Sequence, residues 1–365
     1  MSFSTSSPNF NSPSFADPHS GRIVLLADDL TGACDAGAAF LRSGRSVRVW
    51  FGSAVQFSAP ESVQAFNTNS RALSAHQAAR TVSQAAAALG SDPNSLFFKK
   101  VDSAARGPFA TEIQAAHRAL STRAILLAPA FPAAGRIVRD GILEIQDAAG
   151  ESSQVRLASL FPLSARSHIF QVTSPSELGP ALQSGMTTLI CDSVTQADLE
   201  AIAREAQQLP GLLYAGSAGL AQALAELSQM KLPSAIVPPV ARTLLIVGSP
   251  HPVTRLQLEN FDRDRFSNAK VLHIGMRFRA EARIRSEFSS FAPQALVLTG
   301  GETALLAVQA LEANSFLLQG ELASGIPWGL VQGGAAHGCV VVTKSGGFGA
   351  PGAFNDILSA FRGPE

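Results

Sequence analysis

Two runs close to the C-terminus each pass from an aliphatic segment through paired glycines into an amphipathic segment. They are LVLTGGETALLAV, which contains Gly300 and Gly301, and TKSGGFGAPGAFNDIL, which contains Gly346 and Gly347. Each run predicts a strand, a glycine-rich turn and a helix. Bare backbone N–H groups at such a turn, aided by the positive end of the helix, form a site for an anion such as phosphate. We therefore expect the two turns to build one nucleotide site.

Polar side chains in and near these turns support that expectation. Glu302, Thr303, Lys344 and Ser345 are residue types that bind phosphate, magnesium or ribose hydroxyls, and Ser249 follows a further predicted strand in TLLIVGSP. The chain contains no GxxxxGK[ST] run, so the predicted nucleotide site is not a P-loop.

The composition favours buried helices and strands and argues against a nucleic-acid-binding surface. The 365 residues are enough for two domains, each with its own core. Charged residues make up only 15% of the chain and hydrophobic residues 46%, which favours buried helices and central strands. The formal net charge is zero and no run of Lys and Arg exceeds two residues. This argues against a nucleic-acid partner, because binding to a phosphate backbone needs clustered positive charge.

Cysteine and histidine spacing argues against a built-in metal centre. Cys34, Cys191 and Cys339 are far apart and form no CxxC pair, which predicts reduced core thiols in a cytoplasmic protein. The seven histidines show no HExxH spacing, and no metal ligands are identified. No segment approaches eighteen consecutive apolar residues, so we expect no membrane span and no membrane partner.

The chain divides into a tail and two regular parts. From Arg22 onward, apolar runs alternate with helical runs, which predicts parallel βαβ units with both faces of the sheet covered. Residues 1–20 are rich in Ser, Pro and Asn and predict a disordered tail. The proline-rich KLPSAIVPPVAR separates predicted domains at residues 21–232 and 241–365. The predicted fold is α/β, with mainly parallel sheets in two domains and the active site in the cleft between them.

Two adjacent acids end the first predicted strand. Asp28 and Asp29 precede Leu30, and two carboxylates at a strand end are costly to bury without partners. One can face the crevice as a catalytic acid or base, while the other caps the following turn. The alternative is that both only cap the helix. We assign Asp28 to the turn and Asp29 to the crevice, although the phase of the strand is not determined by the sequence.

A second polar cluster follows the third predicted strand. Lys100 and Asp102 lie two residues apart on one side of the chain, and Arg106 supplies a planar fork suited to a carboxylate. This predicts an acid-binding pocket, with a surface salt-bridge set as the alternative. Asn67, Arg71 and Arg136 near other strand ends are further candidates, although each alone is more typical of an ordinary loop residue. Glu112 is left open between a solvent-facing and a functional position.

The motifs together resemble those of the four-carbon acid sugar kinases, formerly a family of unknown function. The runs that carry the resemblance occur in the family's order: ADDLTGACDAG, NTNSRAL, KKVDSAARG, APAFPAAGR, AGSAGLA, VGSPHPVTRLQ, TGGETA, GIPWG and TKSGGFG. The resemblance covers about residues 22–360. It implies an ATP-dependent kinase of threonate, erythronate or 3-oxo-tetronate, with an N-terminal substrate domain and a C-terminal nucleotide domain.

The resemblance also implies site residues, position by position. It associates the acid-sugar pocket with Asp28, Asp29, Asp102, Arg106 and Arg136. It associates nucleotide contacts with Ser249, Gly300, Gly301, Glu302, Thr303, Gly346 and Gly347. The chain departs from the family pattern where DSTxRGN is DSAARGP here, with Ala104 and Pro108, and where SGNFG is SGGFG.

The predicted function is transfer of a phosphoryl group from ATP, with Mg²⁺, to a hydroxyl of a four-carbon sugar acid. Asp29 or Asp28 orients or deprotonates the hydroxyl, and Arg106 or Arg136 holds the carboxylate. The altered DSAARGP loop leaves two alternatives open: a kinase of another small sugar acid or polyol, and a catalytically weak ligand-binding regulator. The oligomeric state is also open, with a homodimer among the alternatives.

Overall fold

The computed structural model describes residues 21–51, 61–90, 92, 94–146, 152–228, 235–275 and 279–362. The predicted tail at residues 1–20 lies outside the described residues. So do residues 229–234, where the predicted boundary between the domains begins.

Strands and helices alternate through the described part of the chain before residue 229. The strands are β1 (Ile23–Ala27), β2 (Val47–Phe51), β3 (Val63–Asn67), β4 (Leu96–Lys100), β5 (Ala124–Ala128), β6 (Arg136–Arg139), β7 (Ile142–Gln146), β8 (Ser152–Arg156), β9 (Ile169–Val172), β10 (Thr188–Cys191) and β11 (Leu212–Gly216). The helices are α1 (Leu30–Ala39), α2 (Ala75–Leu89), α3 (Phe109–Ala119), α4 (Leu163–Arg166), α5 (Leu178–Gln183), α6 (Gln196–Ala206) and α7 (Ala218–Glu226). We call residues 21–228 the N-terminal unit.

The C-terminal unit, residues 235–362, continues the alternation and adds a hairpin. Its strands are β12 (Thr243–Val247), β13 (Ala269–His273), β14 (Ala295–Thr299), β15 (Ser315–Ala323), β16 (Ile326–Gln332) and β17 (Val340–Lys344). Its helices are α8 (Pro252–Glu259), α9 (Ala280–Phe291), α10 (Gly301–Ala310) and α11 (Ala353–Ala360). No helix of the described residues is both long and apolar enough to cross a membrane.

The predicted α/β class with a mainly parallel sheet is confirmed. In the described residues the large sheet has the strand order β13-β12-β14-β17-β16-β15-β2-β3-β1-β4-β11-β5-β10-β9, and β6, β7 and β8 form a small antiparallel sheet beside it. Every residue of β1, β4, β12, β14 and β17 is buried, because helices cover both faces of a parallel sheet. Consecutive apolar residues, as in IVLLA of β1 and TLLIV of β12, are the signal that predicted most of these strands, whereas β4 ends in two buried lysines.

The two units share one continuous sheet. Strand β2 of the N-terminal unit pairs antiparallel with β15 of the C-terminal unit, from Val47 opposite Leu318 to Trp50 opposite Ser315. Backbone hydrogen bonds therefore join the units directly. The sequence did not reveal this seam, because the pairing strands are far apart in the chain and belong to no local βαβ unit.

Helix α1 lies across the seam and connects the units a second time. All ten of its residues are buried, and its sequence LTGACDAGAA contains mostly small side chains. A Cβ placed on Gly37 would lie 3.1 Å from Val47 Cγ1 and 3.4 Å from Leu318 Cδ1, so the helix closely approaches both seam strands. The small residues allow α1 to pack between the units, and the packing directs its N-terminus at the C-terminal unit.

Candidate active site

The acid pair after β1 surrounds a single arginine. Arg71 donates to both oxygens of Asp28, from Nε to Oδ2 at 2.8 Å and from Nη2 to Oδ1 at 2.9 Å. It also donates to both oxygens of Asp29, at 2.8 and 2.9 Å. Asp102 Oδ1 lies 3.6 Å from Arg71 Nη1. The Arg71 guanidinium thus holds three carboxylates together. Arg71 was predicted to bind substrate, but its hydrogen bonds go to the two acids of the pair.

Asp28 is the more buried acid of the pair, with 3% of its surface exposed. Burial opposes its ionisation, but the charge and hydrogen bonds of Arg71 outweigh burial and hold the pKa of Asp28 below its usual value. Asp28 is therefore a stable anion and a weak base.

The roles predicted for the two acids need correction. Asp29, not Asp28, serves the turn: it is the N-cap of α1, and its Oδ1 accepts from Gly32 N at 2.9 Å. The N-cap residue directly precedes the first helical residue, Leu30, which leaves Asp28 directly after the last residue of β1. Asp29 also faces the other unit as predicted, because a Cβ placed on Gly301 would lie 2.5 Å from Asp29 Oδ2. Asp29 thus both caps α1 and faces the C-terminal unit.

The loop after β4 is organised by Asp102. Its Oδ2 accepts from the backbone N–H groups of Ala104 and Arg106 and from Arg106 Nε at 2.8 Å, and its Oδ1 accepts from Arg106 Nη2 at 2.6 Å. Burial opposes ionisation of Asp102, but the arginines hold its pKa well below the usual range. The Arg106 side chain remains 66% exposed. Lys100 is buried beneath this loop, and its Nζ donates to the carbonyl of Val101 at 2.8 Å.

Asn67 and Arg136 lie at other edges of the same region. Asn67 ends β3 beside Ala27 of β1, and its Oδ1 accepts from Asn69 N at 2.9 Å. Its Nδ2 is buried and finds no partner among the described residues. Arg136 begins β6 and donates to the carbonyl of Ala134. A buried amide without a partner is costly, so Asn67 is suited to receive a ligand oxygen.

The two glycine-rich turns of the C-terminal unit meet at Ser249, as the sequence predicted for one composite site. A Cβ placed on Gly346 would collide with Ser249 Oγ, and one on Gly300 would lie 3.3 Å from Ser249 Cβ. Gly300 also adopts a φ of +94°, which favours glycine, and its N–H donates to the Lys344 carbonyl at 2.8 Å. The turns form one backbone-lined cradle, and any side chain on its glycines would fill it.

The polar residues of the cradle differ in exposure. Glu302 in the first turn of α10 is exposed, Thr303 is buried against Gly248, and Ser345 is half-buried. Lys344 is fully buried, and its Nζ donates at 3.1 Å to the carbonyls of both Ser345 and Phe348. Burial lowers the pKa of Lys344 to about 7. In this arrangement Lys344 holds the shape of its own loop.

Two residues of α8 and its N-cap residue support the same loop. Gln257 Nε2 donates at 3.0 Å to the carbonyls of Phe348, Gly349 and Ala350, and Thr254 Oγ1 donates to Gly346 O at 2.8 Å. His251 caps α8, and its ring lies beside Gly347. No local signal marks Gln257 and Thr254, because a polar residue in an amphipathic helix ordinarily faces solvent.

The cradle has the features of a site for a nucleotide phosphate. Bare glycine backbone, the start of α10 and Ser249 are together the kind of environment that holds phosphate oxygens. Among the described residues, no group of three or more His, Cys, Asp or Glu side chains could hold a metal ion.

A glycine-lined cradle opposite a cluster of acids and arginines is the arrangement expected of a small-molecule kinase, and similarity to known proteins supports that class. A model of a sugar-binding N-terminal domain matches residues 23–175, and a model of a nucleotide-binding C-terminal domain matches residues 279–354. The D-threonate kinase of Bordetella bronchiseptica is 29% identical, over 93% of this chain and 97% of that protein. The D-erythronate kinase of Heliobacterium modesticaldum is 28% identical, over 65% of this chain and 59% of that protein.

The fold is also found in a solved structure. A crystal structure of a Haemophilus influenzae protein matches with a TM-score of 0.66 at 19% identity, over 93% of this chain and 100% of that one. Two domain models that together match more than half of the chain, with the curated relatives, show the family. The chain belongs to the four-carbon acid sugar kinase family.

Proposed function

We propose that the protein is a kinase that transfers the γ-phosphoryl group of ATP to a hydroxyl of a four-carbon sugar acid of the threonate or erythronate type. The observation that carries the proposal is the approach of Asp29 Oδ2 to Gly301, where the acid cluster meets the phosphate cradle. Phosphoryl transfer depends mainly on positioning and charge stabilisation, which this juxtaposition supplies. The D-threonate and D-erythronate kinases among its relatives support the choice of substrate class.

The nucleotide side of the proposal rests on backbone groups. ATP supplies the transferred group, and Mg²⁺ neutralises charge on its phosphates. The N–H groups of Gly301, Gly346 and Gly347, with the Ser249 hydroxyl, would hold the phosphate oxygens. Gly300, whose N–H donates to the Lys344 carbonyl, would shape the first turn. Glu302 and Thr303, at the start of α10, would contact the nucleotide or its Mg²⁺ ion. Lys344 and Ser345 would maintain the conformation of the second loop.

The substrate side of the proposal rests on the exposed arginine. Arg106 is fixed by two hydrogen bonds to Asp102, and its Nη1 makes no hydrogen bond to a described residue. This nitrogen and Arg136 would hold the substrate carboxylate, because guanidinium groups bind carboxylates as planar forks. The buried Nδ2 of Asn67 would donate to a substrate hydroxyl. Lys100 would support the loop electrostatically from below.

Asp29 is the proposed general base. It is the acid that faces the cradle, and Arg71 fixes the orientation of its carboxylate. It would accept the proton of the attacking hydroxyl as the new P–O bond forms. Asp28 would remain ionised and hold Arg71 in place, so its role is to position Asp29.

The proposal is tested by ADP formation with a panel of four-carbon acids. We expect Mg²⁺-dependent ADP production with D-threonate or D-erythronate, and little with the corresponding neutral alditol, because the alditol lacks the carboxylate that Arg106 and Arg136 would bind. Equal turnover of acid and alditol would contradict the carboxylate pocket. Absence of ADP with every acid, in a protein that binds nucleotide, would favour a ligand-binding regulator.

A substitution in the cradle should weaken nucleotide binding. Gly346→Ala places a methyl group against Ser249 Oγ and fills the space for phosphate. A hydrogen bond to a charged group contributes about 1.5–3 kcal/mol, so we expect the Kd for a non-hydrolysable ATP analogue to rise at least about tenfold. Gly179→Ala is the matched control, because a Cβ there meets no atom within 4 Å. Unchanged affinity in Gly346→Ala, measured by calorimetry, would place the phosphates elsewhere.

A further inference from the structure

The second glycine-rich loop touches the N-terminal unit through one aromatic side chain. The rings of Phe348, in SGGFG, and Phe131, in APAFPAAGR, meet edge to face with centroids 6.0 Å apart. A Cβ placed on Gly325, in the turn between β15 and β16, would collide with the Phe348 ring from another side. The Phe348 ring therefore lies between the β15–β16 turn and the N-terminal unit.

The backbone of Phe348 is held by the nucleotide loop itself. Its carbonyl accepts from Lys344 Nζ at 3.1 Å and from Gln257 Nε2 at 3.0 Å, and its N–H donates to Ser345 O at 3.1 Å. The ring is only half-buried. Any change in the conformation of this loop must therefore move the ring against Phe131.

Phe131 in turn is joined to Arg136 by the backbone. The N–H of Phe131 donates to the carbonyl of Arg136 at 2.8 Å, and the N–H of Arg136 donates to the carbonyl of Phe131 at 3.2 Å. Behind them, Ser217 Oγ anchors the neighbouring Ala130 carbonyl at 2.6 Å. A displacement of the Phe131 ring would therefore act on Arg136 through these two backbone hydrogen bonds, while Ala130 stays fixed by Ser217.

We propose that Phe348 is a positioning residue that couples nucleotide binding to the grip of Arg136 on the substrate carboxylate. The inference rests on the proposed function, since it requires phosphate at the SGGFG loop and an acid at Arg136. Phosphate bound at the SGGFG loop fixes the position of the Phe348 ring, and this ring fixes the Phe131 ring against which it packs. The hydrogen-bonded turn from Phe131 to Arg136 then orients the Arg136 guanidinium towards the substrate carboxylate. By thermodynamic reciprocity, the acid strengthens nucleotide binding by the same factor.

The test measures the Kd of D-threonate by calorimetry, with and without Mg²⁺ and a non-hydrolysable ATP analogue. In the unaltered protein we expect the analogue to tighten D-threonate binding at least about fivefold, the lower end of typical coupling between sites. In Phe348→Ala that factor should fall towards one, while the Kd of the analogue alone stays within about twofold, because the backbone contacts of the loop remain. Phe170→Ala, on the edge strand β9, is the control for loss of a half-buried aromatic ring and should keep full coupling.

The outcomes separate the two proposals. If the unaltered protein binds neither probe, the proposed function fails and this inference fails with it. If it binds both probes without coupling, or if Phe348→Ala keeps the full coupling factor, the inference is wrong while the proposed function stands. Phe131→Leu is the second variant, on the other side of the contact. It should weaken coupling without changing the melting temperature by more than Phe170→Ala does.

Discussion

Asp29→Asn is expected to lower kcat by about 10²–10⁴-fold, the usual contribution of a general base. The amide keeps a hydrogen-bond acceptor for Gly32 N, so the cap on α1 survives while the ability to take a proton is lost. Asp29→Ser is the companion variant, because serine is also a good N-cap and has no carboxylate. Both variants should lose kcat to a similar extent, and both should lose some thermal stability, because each removes a carboxylate charge beside Arg71.

Asp28→Asn should behave differently. It removes one charge from the pair that holds Arg71, so we expect a clear loss of stability together with a smaller loss of kcat. Steady-state kinetics and thermal unfolding of the three variants separate the roles. If Asp29→Asn and Asp29→Ser remain fully active, the carboxylate only shapes the turn, and Asp102 becomes the next candidate for the base.

Lys99→Met is expected to lower the free energy of unfolding by about 3–5 kcal/mol. Lys99 Nζ lies 2.8 Å from Glu112 Oε2, and the two side chains are 0% and 3% exposed. Removal of the lysine leaves a buried carboxylate without its partner, and that is more costly than loss of the pair. Urea unfolding measures the loss in the free energy of unfolding. The double variant Lys99→Met/Glu112→Leu should recover most of that loss.

The matched control is an exposed pair in the same protein. Lys270 and Glu287 form an ion pair whose side chains are 46% and 31% exposed. Lys270→Met should change the free energy of unfolding by no more than about 1 kcal/mol, because exposed pairs are screened by solvent. Equal losses of unfolding free energy in Lys99→Met and Lys270→Met would mean that burial does not make the Lys99–Glu112 pair more important for stability than an exposed pair.

The strand–turn–helix units were predictable because their signals are local. Strands β1, β12, β14 and β17 are uninterrupted apolar runs, and the glycine turns after β14 and β17 follow directly in the chain. Parallel order then brings the carboxyl ends of the strands to one edge, where the predicted polar residues meet. This reasoning placed Ser249, Gly300 and Gly346 together.

Features that depend on tertiary contacts were not predictable. The roles of Asp28 and Asp29 depend on the phase in which β1 passes into α1, and alternation alone does not set that phase. Glu112 was left open because the burial of α3 depends on its rotation against the sheet, which pairs it with Lys99. Lys344 looked like a phosphate ligand, yet its Nζ bonds the carbonyls of its own loop. The proposed function therefore assigns Lys344 to the support of its loop.

The seam between β2 and β15 has a consequence for any attempt to study the units apart. Cleavage of the chain between residues 228 and 235 would leave the backbone hydrogen bonds of the seam and the packing of α1 intact, so the two fragments should stay associated. Expressed separately, each fragment would expose a strand edge with unpaired backbone groups, which promotes aggregation. Mixed during refolding, the fragments should reconstitute one particle, which makes this chain a candidate scaffold for split-protein complementation.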